Sequence, residues 1–309
     1  MSMQSTKSIK WLTVFAYVAT IVMFLVMIAG SLVTKTESGM GCGNTWPLCN
    51  GKWVPEYTIS SMIEYMHRMI TGVAGVVVLL FSFLAWWQNK GDKEVRNLAL
   101  FGIFFILVES ALGAAAVIKP QSSPVLALHF GFSLLAFTGV FLLTICILQQ
   151  NKARRLVQTA VANGYRLYAW FVAAFAYGVV YLGAYVRHTG ASVACPNWPL
   201  CQDGVLIPEL QGLVAVHFVH RLGALTLFIL VTILMVLTVK RYKNTRRDLY
   251  VASILAFLLI TAQVISGGFV VLKQLHLYAT LTHSAIITCL FGTLCYLCVQ
   301  TLKKPRDNA

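Results

Sequence analysis

The chain has 309 residues, 58% of them hydrophobic and 11% charged, whereas soluble proteins average about 45–50% apolar and about 25% charged. That balance excludes a disordered chain, a collagen-like or coiled-coil rod and a small disulfide scaffold, and a soluble globule of this composition would lack polar surface to cover itself. The 24 Lys and Arg against 10 Asp and Glu, a formal +14, would point a soluble protein toward nucleic acid, so the positions of the charges decide what they mean.

A helical membrane span needs about 20 mostly apolar residues. Eight segments qualify: 11–33, 62–87, 97–118, 124–149, 166–186, 214–239, 249–272 and 278–301. The first is too long for the core of a signal peptide and no small-residue cleavage site follows it, so it is read as a span. The connecting segments on one side hold 17 of the 24 basic residues: Lys7, Lys10, Lys90, Lys93, Arg96, Lys152, Arg154, Arg155, Arg166, Lys240, Arg241, Lys243, Arg246, Arg247, Lys303, Lys304 and Arg306. The other side holds seven. The positive-inside rule makes the first side cytoplasmic, with both termini inside and two long loops, 34–61 and 187–213, outside. The charge is then a topology signal, and no nucleic-acid partner is expected.

The two outer loops repeat one another. Gly30-Ser31-Leu32-Val33, Cys42, Trp46-Pro47-Leu48-Cys49 and Glu64-Tyr65-Met66-His67-Arg68 match Gly183-Ala184-Tyr185-Val186, Cys195, Trp198-Pro199-Leu200-Cys201 and His217-Phe218-Val219-His220-Arg221. Glycine to first cysteine is 12 residues in both copies, and first cysteine to histidine is 25 in both. Further on, Leu112-Gly113 aligns with Ser266-Gly267. His129 follows His67 by 62 residues, and His283 follows His220 by 63. The expected architecture is all-α: a polytopic membrane protein of eight transmembrane helices in two four-helix bundles, 1–160 and 161–309. Four spans per copy make the repeat parallel, related by a pseudo-twofold axis along the membrane normal.

In each copy the second and fourth spans carry one histidine within about two turns of the outer end. Ionisable residues in spans are costly and are functional by default. Two imidazoles facing one another across a bundle suit axial ligation of haem iron. A closed zinc site wants four clustered ligands, and a histidine pair about 62 residues apart fits that poorly. Arg68 and Arg221 follow the histidines and are candidates to pair with haem propionates or to snorkel to headgroups. His188 and His276 read as loop residues.

The copies are unequal. Where the second has His217, the first has Glu64, three residues before His67 and on the same helix face. A carboxylate beside a redox centre can move protons or stabilise a cationic intermediate. One site with an acid and one without reads as an active site and an auxiliary site. Glu109, in the third span, aligns with Gln263 and fits a proton path or a hydrogen bond that locks helices. Cys42/Cys49 and Cys195/Cys201 lie on the oxidising side and can each bridge, although a redox-active or substrate-attacking first pair stays open. Cys146, Cys289, Cys295 and Cys298 read as small packing residues. The sequence has no C-x-x-C-H, so covalent haem attachment is not expected.

Together these motifs, with Leu128-His129-Phe130-Gly131 and Thr282-His283-Ser284, resemble the bacterial haem A synthases of the eight-helix, cysteine-pair type, over about residues 11–300. The resemblance implies oxidation of the C8 methyl of haem O to a formyl group by successive hydroxylations, giving haem A for haem-copper oxidases. It implies a permanent haem b between His220 and His283, with His67 and His129 as ligands of the substrate haem. Glu64 would be a catalytic acid or stabiliser, and a Cys42–Cys49 bridge would lie beside the substrate pocket. It places the protein in the bacterial plasma membrane, and a haem O synthase and cytochrome oxidase assembly partners follow from the family alone. Two other functions fit the residues less well. A quinone-linked di-haem cytochrome b would want two equal sites. A transporter would want Gly/Pro breaks at mid-span, and here the prolines lie mostly in loops.

Overall fold

In the computed structural model, residues 3–119, 122–149, 159–202 and 205–303 are described. Lys152, Arg154, Arg155, Lys304 and Arg306 of the basic set lie outside them. Eight long helices run in chain order among these residues: α1 (Met3–Lys35), α2 (Ile59–Gln88), α3 (Lys93–Ile118), α4 (Ser123–Gln149), α5 (Asn163–His188), α6 (Gly212–Tyr242), α7 (Arg247–Leu272) and α8 (Leu277–Leu302). A short 3₁₀ turn, Ala191–Val193, follows α5. All eight are long and apolar enough to cross a membrane, and the expected all-α, multi-pass membrane fold is borne out. Large apolar side chains such as Ile21, Val76, Phe104, Leu225 and Leu258 are exposed along them. In a membrane these surfaces meet acyl chains rather than water.

Two of the helices, α2 and α3, begin earlier than the apolar runs because their first turns are polar and capped. Thr58 and Ser61 form a capping box at the start of α2, and the Asp92 carboxylate accepts from the Glu94 and Val95 amides at the start of α3. Hydropathy does not register these residues, but they satisfy amides that the helix itself leaves open.

By contacts the chain forms two compact units. One comprises Met1–Val125 and Phe132–Gln150; the other comprises Leu126–Gly131 and Asn151–Ala309. In the first unit small residues bring backbones together, as expected where packing rather than dehydration drives helix association. A Cβ on Gly139 of α4 would lie 2.8 Å from Phe101 Cδ1 and 3.1 Å from Gly102 Cα of α3. On the same helix Thr144 donates to the Ala16 carbonyl of α1 at 3.0 Å, and Thr20 donates to Thr144 at 2.8 Å.

In the second unit α8 packs on both α5 and α7, with Leu290, Leu294 and Leu297 buried. The α6–α7 junction is held by a charge. Arg246 is fully buried and forks onto Asp248, with Nε–Oδ1 3.0 Å and Nη2–Oδ2 2.7 Å. It also donates to the Gln300 carbonyl at 2.7 Å and the Thr159 carbonyl at 3.2 Å. A buried guanidinium is tolerable only when paired and hydrogen-bonded in this way. Arg246, one of the 17, thus ties the ends of helices together rather than meeting solvent.

Candidate functional site

Each cysteine loop is a compact knot seated on the helix that follows it. Cys42–Cys49 and Cys195–Cys201 are disulfide-bonded, each with Cα atoms 4.4 Å apart. Each loop has a cis Trp-Pro bond, at Trp46–Pro47 and Trp198–Pro199. A short antiparallel bridge follows each, Cys49 with Lys52 and Gln202 with Val205. The exposed Lys52 ammonium lies 2.6 Å from Glu56 and holds that carboxyl below its ordinary value.

In the first unit the seat is built around Glu64. Its carboxylate is 3% exposed. It accepts the Cys42 amide at 2.8 Å and the Arg68 guanidinium at 3.1 Å (Nε) and 2.5 Å (Nη2). Arg68 Nη1 donates to the Thr45 and Leu48 carbonyls, both at 2.7 Å. The loop can come this close because residue 41 is glycine: a Cβ there would lie 2.5 Å from the Ser60 backbone at the start of α2.

The second unit uses the same arginine and a different partner. Arg221 Nη1 donates to the Asn197 and Leu200 carbonyls at 2.7 and 3.0 Å, and Nη2 donates to the Cys195 carbonyl at 2.9 Å. His217 is buried and donates from Nδ1 to the Ala191 carbonyl at 2.9 Å. Of the two arginines, read in sequence as candidates for propionates or headgroups, Arg221 spends most of its donors on loop carbonyls and Arg68 divides its donors between loop carbonyls and Glu64. The signal that would have revealed this, a main-chain acceptor about 20 residues upstream, has no side-chain signature.

The histidines of α2 and α6 both face the repeated glycine. A Cβ on Gly30 of α1 would lie 3.4 Å from His67 Nε2, and one on Gly183 of α5 would lie 2.8 Å from His220 Cε1. The Nδ1 of His220 is buried without a hydrogen-bond partner of ordinary length among the described residues, and has only a weaker interaction with the Val179 backbone. His283 of α8 also faces a glycine: a Cβ on Gly267 would lie 3.3 Å from its Cε1. Ser266 Oγ is 2.8 Å from His283 Nδ1, and Gln263 Nε2 is 3.0 Å from His283 Nε2. On the other side of this double glycine, a Cβ on Gly268 would lie 3.1 Å from the Trp198 ring of the cysteine loop. His129 lies on α4, within the stretch Leu126–Gly131 that clusters with the second unit. Glu109 of α3 accepts a short hydrogen bond from Ser133 of α4. His188 ends α5, and His276 stands just before the first residue of α8 without a side-chain capping bond. Among the described residues no group of three or more His, Cys, Asp and Glu side chains could hold a metal ion.

Eight helices apolar enough to span a membrane, half-buried histidines facing glycines, and bridged loops pinned over the histidine-bearing helices define the class of an integral membrane protein. The model of the COX15-CtaA family, described as cytochrome oxidase assembly protein, matches residues 13–62 and 55–295. Similar relatives include the haem A synthases of Geobacillus kaustophilus (42% identical over 301 residues, 97% of this chain and 93% of the relative), Geobacillus thermodenitrificans (40% over 304 residues, 98% and 94%) and Symbiobacterium thermophilum (42% over 295 residues, 94% and 95%). The chain belongs to the COX15-CtaA family.

Proposed function

We propose that this chain is a haem A synthase, a membrane oxidoreductase that converts the C8 methyl of haem O to the formyl group of haem A. The observation that carries the reading is the unequal pair of loop seats. Among the described residues only one contains a buried carboxylate, Glu64, and it lies one turn from His67 on α2. In this reading His67 and His129 bind the iron of the substrate haem. Glu64 is the catalytic carboxylate and exchanges or stabilises charge as the methyl group is oxidised. Its bond to the Cys42 amide fixes where it sits, and the Cys42–Cys49 loop excludes water from the pocket edge.

The second unit would hold a resident haem b between His220 and His283. Two features support the fit: Gly183 and Gly267 place no side chain against the His220 and His283 rings, and His283 is already oriented by α7. Bound there, haem b supplies one-electron transfer. The N–H groups that Arg221 does not give to loop carbonyls, and that Arg68 gives neither to carbonyls nor to Glu64, are the ones available to propionates. The cysteine loops lie outside the cytoplasm and both termini inside, in a bacterial plasma membrane. A haem O synthase supplies the substrate, and a haem-copper oxidase in assembly takes the product.

The test is to express the chain with a source of haem O, extract the pigments and chromatograph them. Haem A is expected. Its absence, with two non-exchanging b haems of equal standing in the purified protein, would replace the enzyme by a di-haem electron carrier.

A further inference from the structure

Hydrogen-bond accounting around His283 specifies its tautomer. Ser266 Oγ lies 2.9 Å from the Gln263 carbonyl. A carbonyl can only accept, so the hydroxyl proton points there. The same oxygen is 2.8 Å from His283 Nδ1. With its proton committed it can only accept, and Nδ1 must carry the hydrogen. A neutral imidazole then has its lone pair on Nε2. With the lone pair there, the Gln263 amide nitrogen at 3.0 Å donates to Nε2. Ser266 and Gln263 are both buried on α7, one turn apart. Two side chains of one helix therefore set the ring of the next helix with its iron-binding nitrogen unprotonated.

The first copy lacks the hydroxyl. The position aligned with Ser266 is Leu112, whose side chain can neither donate nor accept. The position aligned with Gln263 is Glu109, which is engaged by Ser133. We propose that Ser266 is a positioning residue that fixes His283 as an Nδ1–H, Nε2-ligating imidazole, and that this hydroxyl, replaced by leucine in the first copy, makes the second unit's haem resident. This rests on the reading of His220 and His283 as haem ligands. A hydrogen bond from the far nitrogen fixes a metal-binding imidazole and raises its basicity, and losing such a partner costs about 10–100-fold in metal affinity. A more basic ligand favours the oxidised iron and lowers its potential.

The experiment uses the full chain purified in detergent as wild type, Ser266→Ala, Ser266→Thr and His283→Ala. One measurement follows the visible haem b band through a potentiometric titration. The other follows the rate at which haem is lost to excess apomyoglobin. Ser266→Ala is expected to raise the midpoint potential and to speed haem loss by about 10–100-fold, with Ser266→Thr restoring both toward wild type. If Ser266→Ala keeps the wild-type potential and loss rate while His283→Ala abolishes the pigment, the positioning role is overturned and the haem reading stands. If His283→Ala binds haem as the wild type does, the ligand assignment fails and takes the proposal with it.

Discussion

The two cysteine loops are seated by the same arginine, but a single exchange, glutamate for histidine, changes what that arginine does. In the first unit Glu64 takes the Nε and one arm of Arg68, leaving the other arm for the Thr45 and Leu48 carbonyls. In the second unit the arginine faces no carboxylate among the described residues, and the released arm of Arg221 reaches a third carbonyl, that of Cys195. Glu64 also takes the Cys42 amide, whereas His217 ties a different segment, the 3₁₀ turn at Ala191. The first seat is thus an ion pair of net zero charge, and the second, among the described residues, is a cation held by main-chain dipoles. A duplicated scaffold can keep its loop anchored by either means, so stability alone does not require the carboxylate. That frees Glu64 for chemistry, and variants can test the division.

The largest effect is expected from the histidines themselves. His220→Ala should abolish the resident haem b band while His67→Ala keeps it and loses haem A, both read from the spectrum of the purified protein and its extracted pigments. Loss of haem b in His67→Ala with retention in His220→Ala would reverse the assignment of the two units.

Next comes Glu64→Gln. The amide oxygen can still accept the Cys42 N–H, but the guanidinium of Arg68 loses its counter-charge in a site where Glu64 is 3% exposed. Weakening hydrogen bonds to a charged buried group costs about 1–3 kcal/mol, visible as a lower melting temperature of the solubilised protein. The variant should remain folded, keep haem b and make haem A at least about 100-fold more slowly, the lower end for loss of a proton-transferring side chain. Normal product with lowered stability would make Glu64 a loop brace and nothing more. The matched control is His217→Gln, which should lower stability without touching the chemical step.

The fold was legible because hydropathy and charge sidedness are properties of the chain itself. All eight apolar runs lie within helices, and only the polar first turns, such as those behind Thr58 and Asp92, escaped the reading. The cysteine pairs were legible from their spacing, and Glu64 stood out as a carboxylate where the repeat has His217. The arginines were not. A histidine followed by arginine has the same sequence whether the guanidinium meets a propionate, a headgroup or a main-chain carbonyl, and carbonyls belong to every residue. Ser266 was visible only as the partner of Leu112 in an alignment. Its meaning depends on the rotation of α7 against α8, which no local pattern encodes.

The smallest and sharpest contrast comes from the repeated glycine that opens each copy. Gly30 and Gly183 hold the same register 12 residues before the first cysteine, and each faces a histidine of the next helix. The space they leave differs. A methyl group at residue 30 would meet His67 Nε2 at 3.4 Å, an ordinary contact, whereas at residue 183 it would meet His220 Cε1 at 2.8 Å. The first imidazole can stay where it is, but the second must move. Both positions are interior to a helix, where alanine is favoured over glycine by roughly 1 kcal/mol. Gly30→Ala should therefore be neutral or slightly stabilising. Gly183→Ala adds an overpacking cost of about 1–3 kcal/mol against that gain and tilts the ring that is to hold the resident haem, so it should broaden or shift the haem b band even where the protein stays folded. Equal spectra and equal melting temperatures for the two variants would mean that the His220 ring has room the structure does not give it. The unequal crowding of the two sites would then have no bearing on which haem is held and which is released.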